Sequence, residues 1–311
     1  MKRIQIRRYG GPEQMRLEEF DLPMPGSKQV IVSMRATSLN PTDIKQREGK
    51  LWLLTGRSFP RPMGSEFSGI VTAVGQGVTR FSVGDEVLGA VPMRSSGAFA
   101  ERVMTDENLL VHKPASISFE VASTLSVAGL AAEQALNKVS KLTKGQSIFI
   151  NGCLGGVGQA AIQLANSIGA KVAGSCRGTA MEHARSLGVS DVFDFASFDP
   201  SHFQQRFDVV FDAAGKLSWA QSQALLSPGG VCVDTNFRVG KLIRGIFGGQ
   251  YKLVAAIPNA ERLQKVANLA EMGILAPAIG KLVPLTEGIE AIRDFEKSGS
   301  SMGKLVLTNS N

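Results

Sequence analysis

Apolar and polar positions follow two different rhythms along this chain, and the change falls near residue 118. Before it, short runs rich in β-branched and aromatic residues are broken by Gly and Pro: "QVIVSMRATSL" (29–39), "SGIVTAVG" (68–75), "GDEVLGAV" (84–91) and "FAERVMT" (99–105). Such runs predict a compact, mostly antiparallel β domain. Beyond it, strand-like runs alternate with helical ones. "SIFIN" (147–151) leads into a glycine turn, after which Val157, Ala160, Ala161, Leu164, Ala165 and Ile168 recur at helical spacing until Gly169 stops them. Further strands are expected at 171–175, 192–195, 208–215, 230–235 and 252–257. Strands alternating with helices imply a parallel sheet with right-handed crossovers, and six strands suit a doubly wound dinucleotide-binding sheet. The tail returns to a helix, "AERLQKVANLAEM" (260–272), and a last strand, "GKLVLT" (303–308). That tail is expected to pack back on the β domain. The expected α/β organisation is therefore a discontinuous β domain, 1–118 with 258–311, around a Rossmann domain, 119–257.

The glycine turn reads Cys153-Leu154-Gly155-Gly156-Val157-Gly158 in the register of a G-x-G-x-x-G fingerprint, with cysteine at its first position. A strand–turn–helix unit of this kind aims helix N-terminal N–H groups at a pyrophosphate. Gly155 gives the close backbone approach and Gly158 the close helix–strand contact. Cys153 is small enough for the first position if its φ stays negative. About 20 residues on, NAD-binding domains carry a carboxylate for the ribose. Here "GSCRGTAME" has no acid between Lys171 and Met181, and Ser175 and Arg177 offer a hydroxyl and a guanidinium suited to a 2′-phosphate. That favours NADPH; the plainer alternative for Arg177 is a surface arginine. His183 and Arg185 add charge there or face solvent.

Composition adds limits. The hydrophobic fraction is 43% and the charged fraction 20%, and no run of apolar residues is long enough for a spanning helix. The N-terminus lacks an apolar segment behind its basic residues, so no signal peptide is expected. Three scattered cysteines, Cys153, Cys176 and Cys232, fit a reducing, cytoplasmic compartment. The net charge of +7 has three readings: a solvated basic surface, an acidic partner such as nucleic acid or a membrane surface, or service to a polyanionic cofactor. No basic stripe interleaved with aromatics accompanies it.

Several segments in one order, "SLNPTDIKQREG" (38–49), "MGSEFSGIVTAVGQGV" (63–78), "FSVGDEVLG" (81–89), "GAFAERV" (97–103), "INGCLGGVGQAAIQLA" (150–165) and "GKLVL" (303–307), make the chain resemble the zinc-free quinone oxidoreductase branch of the medium-chain dehydrogenase/reductase superfamily. The resemblance covers nearly the whole length and extends to enone reductases and chloroplast-envelope quinone oxidoreductase homologues. It implies a GroES-like β domain followed by a Rossmann domain. The branch commonly has Ala where this chain has Cys153.

Where zinc-dependent relatives hold their catalytic ion, the resemblance puts Asn40, Ser65 and Ala128, and the stretch 89–99 lacks the cysteines of a second site. The histidines His112, His183 and His202 show no ligand spacing. No metal is expected, which disfavours zinc-assisted alcohol oxidation. What remains is NADPH-dependent hydride transfer to a hydrophobic enone, enal or quinone. The alternatives are one-electron quinone reduction, or an NADPH-binding protein recruited to nucleic acid or membrane. Asn40 is expected to orient substrate or nicotinamide ribose, and Ser65 to donate a hydrogen bond. Asp43 is a cap or a catalytic group, and Lys45 an oxyanion partner or a surface lysine. Strand ends and the C-terminal loop suggest cofactor contacts from Ala213, Ala214, Gly215, Asn236, Phe237, Ser301, Gly303 and Lys304, in addition to Gly156 and Val157 of the turn. Relatives often have Thr where this chain has Ala131. Trp52, Leu53, Leu54 and Phe59 either cover the acceptor or pack into the core. A homodimer is expected through the edge strand around 251–257.

Overall fold

The computed structural model describes residues 1–200, 206–235, 249–298 and 303–309, so Asn236, Phe237, Ser301 and His202 lie outside the described residues. Two compact units result: residues 1–127 with 258–273 and 277–311, and residues 128–257 with 274–276.

The first unit is built on a seven-stranded sheet. Its order runs Ile279–Pro284, Lys304–Thr308, Gln29–Ser38, Glu66–Val74, Glu86–Ala90 and Leu110–His112, with Arg102–Asp106 also paired to Gln29–Ser38. Every pairing is antiparallel except that between Ile279–Pro284 and Lys304–Thr308. A small three-stranded sheet of Met15–Glu19, Lys2–Ile6 and Arg61–Pro62 lies in the same unit. The core gathers Ile4, Val32, Met34, Phe67, Val87, Phe99, Ile292 and Leu307. Gln29–Ser38 is central because its side chains are buried on both faces, as "VIV" and "ATS" require.

The second unit holds a six-stranded sheet in the order Asp191–Asp194, Lys171–Cys176, Ser147–Asn151, Phe207–Asp212, Leu226–Asp234, Tyr251–Leu253, parallel throughout. That is the doubly wound order, and it leaves the continuous apolar runs of the central strands buried on both faces. Phe149, Phe207, Val210, Leu225 and Tyr251 form the core on one side, with Phe198 stacked on Phe149 at 5.1 Å. The helix Gly156–Ile168 turns its Ala160, Ala161, Leu164 and Ala165 stripe inward. Gly169 ends it in the left-handed conformation at φ 82° and donates to Ala165 and Asn166. The edge strand is shorter than the apolar run suggests. It spans Tyr251–Leu253, paired with Cys232, Val233 and Asp234, and the Val254 amide adds one bond to Asp234 O at 3.0 Å. Among the described residues no helix is long and apolar enough to cross a membrane.

Candidate functional site

Strand register in the first unit collects one polar cluster. Val306 pairs with Ser38 on one side of Gln29–Ser38, and Phe67 pairs with Thr37 on the other. Lys304 and Glu66, at the starts of the flanking strands, therefore come to the end of the central strand, where Asn40 and Pro41 open the helix Pro41–Arg47. Proline at the first helical position and an extended Asn40 before it fix that junction.

Lys304 Nζ lies 2.6 Å from Glu66 Oε1 and 2.8 Å from Asn40 Oδ1. Glu66 Oε1 also accepts from Ser38 Oγ at 2.5 Å and Asn40 Nδ2 at 2.9 Å, while Oε2 accepts from the Val127 amide at 2.7 Å. Four donors thus meet this one carboxylate, three at Oε1 and one at Oε2. Asn40, Glu66, Lys304, Ser38 and Asp43 are all buried, whereas Ser65 and Val127 are partly exposed. Asp43 Oδ2 accepts from the Asn40 amide at 2.8 Å, and Oδ1 accepts from Ser65 Oγ. Burial pushes the Asp43 carboxyl up to about 7, helped by the nearby Glu66 charge and opposed by the Ser65 and Asn40 donors and the Lys304 ammonium.

That shift carries a stability consequence with a definite sign. A carboxyl that binds its proton more tightly folded than unfolded stabilises below its ordinary value near 4, and the stabilisation fades as pH rises through about 7. Between pH 5 and 8 the wild type is expected to lose on the order of 2–3 kcal/mol relative to Asp43→Asn, read by urea unfolding. Parallel pH profiles for the two proteins would contradict the burial argument.

The donor set also answers whether zinc fits. Zinc takes thiolate, imidazole or carboxylate. Here position 40 is an amide, position 65 a hydroxyl, and the neighbouring carboxylate of Glu66 already carries an ammonium. The residues do not fit a zinc ion. No group of three His, Cys, Asp or Glu side chains gathers among the described residues.

In the second unit the glycine turn is assembled differently from the fingerprint register. The positive-φ residue is Gly152, at 76°, one place before Cys153. A Cβ there would meet Ala214 Cβ at 2.8 Å, so the Ala213–Gly215 turn sits against it. Cys153 is buried, its Cβ packs into the space Gly174 leaves, and its N–H donates to Ser175 O at 3.0 Å. It faces into the unit, and burial raises its thiol to about 12. Gly158 is closed in, since a Cβ would come 2.3 Å from Gly152 O. Gly155 is the opposite case: among the described residues a Cβ there would meet only Gly152 O, at 3.4 Å. It caps a 13-residue helix, with Gly156 and Val157 in the first turn and half-buried. Open space before helix N–H groups is what a pyrophosphate needs, so this turn fits a dinucleotide.

Ser175 does not stand ready for a 2′-phosphate. It is fully buried and donates to Asn151 Oδ1 at 2.7 Å, while Asn151 Nδ2 donates to Asp212 Oδ1 at 2.7 Å. This chain of side chains ties three strand ends beneath the turn. Arg177 is exposed, one residue past its strand. The next strand brings Asp194 close, because a Cβ on Gly178 would meet its Oδ2 at 2.6 Å.

Other expected site residues fall less simply. Lys45 is half-buried on the helix Pro41–Arg47, whereas the ammonium at Asn40 belongs to Lys304. Lys304 is thus an interior residue of the first unit. Gly303 is packed, a Cβ there coming 2.4 Å from Gly280 N. Trp52, Leu53, Leu54 and Phe59 are 41%, 79%, 64% and 37% exposed, so they are not core, and Arg57 stacks 4.0 Å from the Trp52 ring centroid. Glu66 was the residue hidden in the sequence, and its signal was a lone acid opening the otherwise apolar run "EFSGIV".

Residues 26–115 match the alcohol dehydrogenase GroES-like domain family, and residues 187–307 a zinc-binding dehydrogenase family. The chain is 30% identical to the chloroplast envelope quinone oxidoreductase homolog of Arabidopsis thaliana, over 99% of this chain and 98% of that one. It is 31% identical to a quinone oxidoreductase of Pseudomonas aeruginosa, over 93% and 94%. The solved quinone oxidoreductase of Coxiella burnetii superposes with a TM-score of 0.90 at 27% identity, covering 99% of each chain. That of Escherichia coli, complexed with NADPH, gives 0.85 at 25% identity over 99% and 100%.

Proposed function

The chain belongs to the medium-chain dehydrogenase/reductase superfamily, in its quinone oxidoreductase branch, and from that membership we propose an NADPH-dependent, zinc-independent reductase of quinones and α,β-unsaturated carbonyls. Oxidoreductase activity with a nicotinamide cofactor follows from the family; the acceptor, the cofactor's phosphate and the residue roles are the proposal. The observation that carries it is the half-exposed Ser65 hydroxyl on a buried cluster whose amide, ammonium and carboxylates cannot seat zinc.

The chemistry supplied by a bound reduced nicotinamide is hydride delivery to a quinone or to the β-carbon of an enone. Gly155, Gly156 and Val157 hold the pyrophosphate, Ala213–Gly215 line the same turn, and Arg177 takes the 2′-phosphate. Charge then develops on the acceptor oxygen, and Ser65 donates a hydrogen bond to it. Asn40 and Lys304 act from below by fixing Glu66 and the helix that carries Asp43. Trp52, Leu53 and Phe59 offer an apolar surface for a hydrophobic acceptor. Three buried cysteines, none of them in a disulfide, support a reducing compartment, the cytoplasm, and the Tyr251–Leu253 edge supports pairing with a second copy.

Cofactor deuterated at C4 tests the function: the label is expected on the β-carbon of a reduced enone. Recovery of label only in solvent, or a semiquinone radical signal with quinones, would replace it with one-electron chemistry. For the phosphate, Arg177→Ala is expected to raise KM for NADPH about tenfold or more while leaving NADH unchanged. Equal effects on both cofactors would remove Arg177 from the 2′-phosphate.

A further inference from the structure

We propose that Asp43 stores the proton delivered to the reduced acceptor and passes it through Ser65, an inference that rests on the reductase reading. The argument is one of hydrogen-bond direction. Oδ2 of Asp43 faces the Asn40 amide, which can only donate, so a proton on this carboxyl must sit on Oδ1. Oδ1 faces Ser65 Oγ. With Asp43 ionised, Ser65 donates inward and its hydrogen is engaged. With Asp43 protonated, the carboxyl donates to Ser65 Oγ and the serine hydrogen must turn away from it, free to meet an acceptor at this partly exposed residue. Asp43 itself is buried, so Ser65 is its route to an acceptor.

The charged groups facing Asp43 are Glu66, from the strand Glu66–Val74, which holds the proton on, and Lys304, from Lys304–Thr308, which opposes it. Their balance leaves the carboxyl titrating at about 7, where both hydrogen-bond states are populated at neutral pH. The step balances as follows. Hydride from the reduced nicotinamide brings two electrons to the acceptor. The acceptor oxygen forms an O–H bond as the Ser65 O–H breaks, Ser65 regains a proton from Asp43 Oδ1, and solvent later reprotonates the carboxylate. Asp43 is a positioning residue and proton store in this scheme, and Ser65 is the group that touches the acceptor.

Infrared difference spectra of the ligand-free protein, with pH profiles of kcat/KM, test this. A protonated carboxyl band is expected to appear as pH falls through neutrality, to vanish in Asp43→Asn, and to titrate at higher pH in Ser65→Ala, which removes a donor to the carboxylate. The wild-type kcat/KM should fall about tenfold per pH unit above the titration. Ser65→Ala should be about tenfold or more slower with no such limb, and Ser65→Thr should restore it. A carboxyl band that does not titrate between roughly pH 5 and 9, or a Ser65→Ala enzyme that keeps the wild-type limb, overturns the proposal. Absence of turnover with every quinone and enone would instead overturn the reductase reading, and the infrared titration would still decide whether Asp43 holds the proton.

Discussion

Lys304→Met is expected to destabilise the first unit by about 3–5 kcal/mol, because it leaves the Glu66 carboxylate buried without its cation. Glu66 is fully buried and Lys304 is 4% exposed, so solvent cannot take the ammonium's place. The double replacement Glu66→Gln, Lys304→Met removes both charges and should recover most of that loss, since matched removal of a buried pair is often close to neutral. Urea unfolding of the two variants beside the wild type reads the difference. A single variant within about 1 kcal/mol of wild type would show that the 2.6 Å pair does not carry the cluster.

The second large effect is expected at the glycine turn, where two glycines should respond in different ways. Gly158→Ala sets a Cβ against Gly152 O, Cys153 O and Cys153 C at 2.3, 2.6 and 2.7 Å, all of them backbone. Such overpacking costs about 1–3 kcal/mol or more, and the displaced turn should lose cofactor affinity with it. Gly155→Ala meets only one atom among the described residues, at 3.4 Å, so the protein should fold with wild-type stability. Its methyl group nonetheless occupies the space assigned to the pyrophosphate, and cofactor affinity should fall about tenfold or more, a loss of at least 1.4 kcal/mol. Thermal unfolding and cofactor titration of both variants separate the roles. If Gly155→Ala bound NADPH like the wild type, the pyrophosphate would lie elsewhere.

Much of the fold was legible because local patterning and tertiary packing agree. The helix Gly156–Ile168 follows from its 3.6-residue stripe and its Gly169 stop, and the six-strand count follows from the alternation of elements. The strand expected over 252–257 spans Tyr251–Leu253 instead, because apolarity alone does not say where a ladder stops. Anchoring the fingerprint on Cys153 hides Gly152, whose positive φ does the turning; the cysteine packs into the space left by Gly174 of the adjacent strand, a contact that the local motif cannot report. Ser175 illustrates the same limit, as its hydroxyl is drawn inward by Asn151 from the adjacent strand. The polar cluster was half legible. Asn40, Asp43 and Ser65 lie within two short motifs, whereas Lys304 meets Asn40, 264 positions away in sequence, only through the pairing of Lys304–Thr308 with Gln29–Ser38.

The most direct measurement is cofactor oxidation by the chelator-treated protein against a panel of quinones, enones and enals, with NADPH and NADH run in parallel. The account predicts turnover that survives metal removal, requires the conjugated acceptor and prefers NADPH. Oxidation of saturated alcohols that appears only on adding zinc would contradict it.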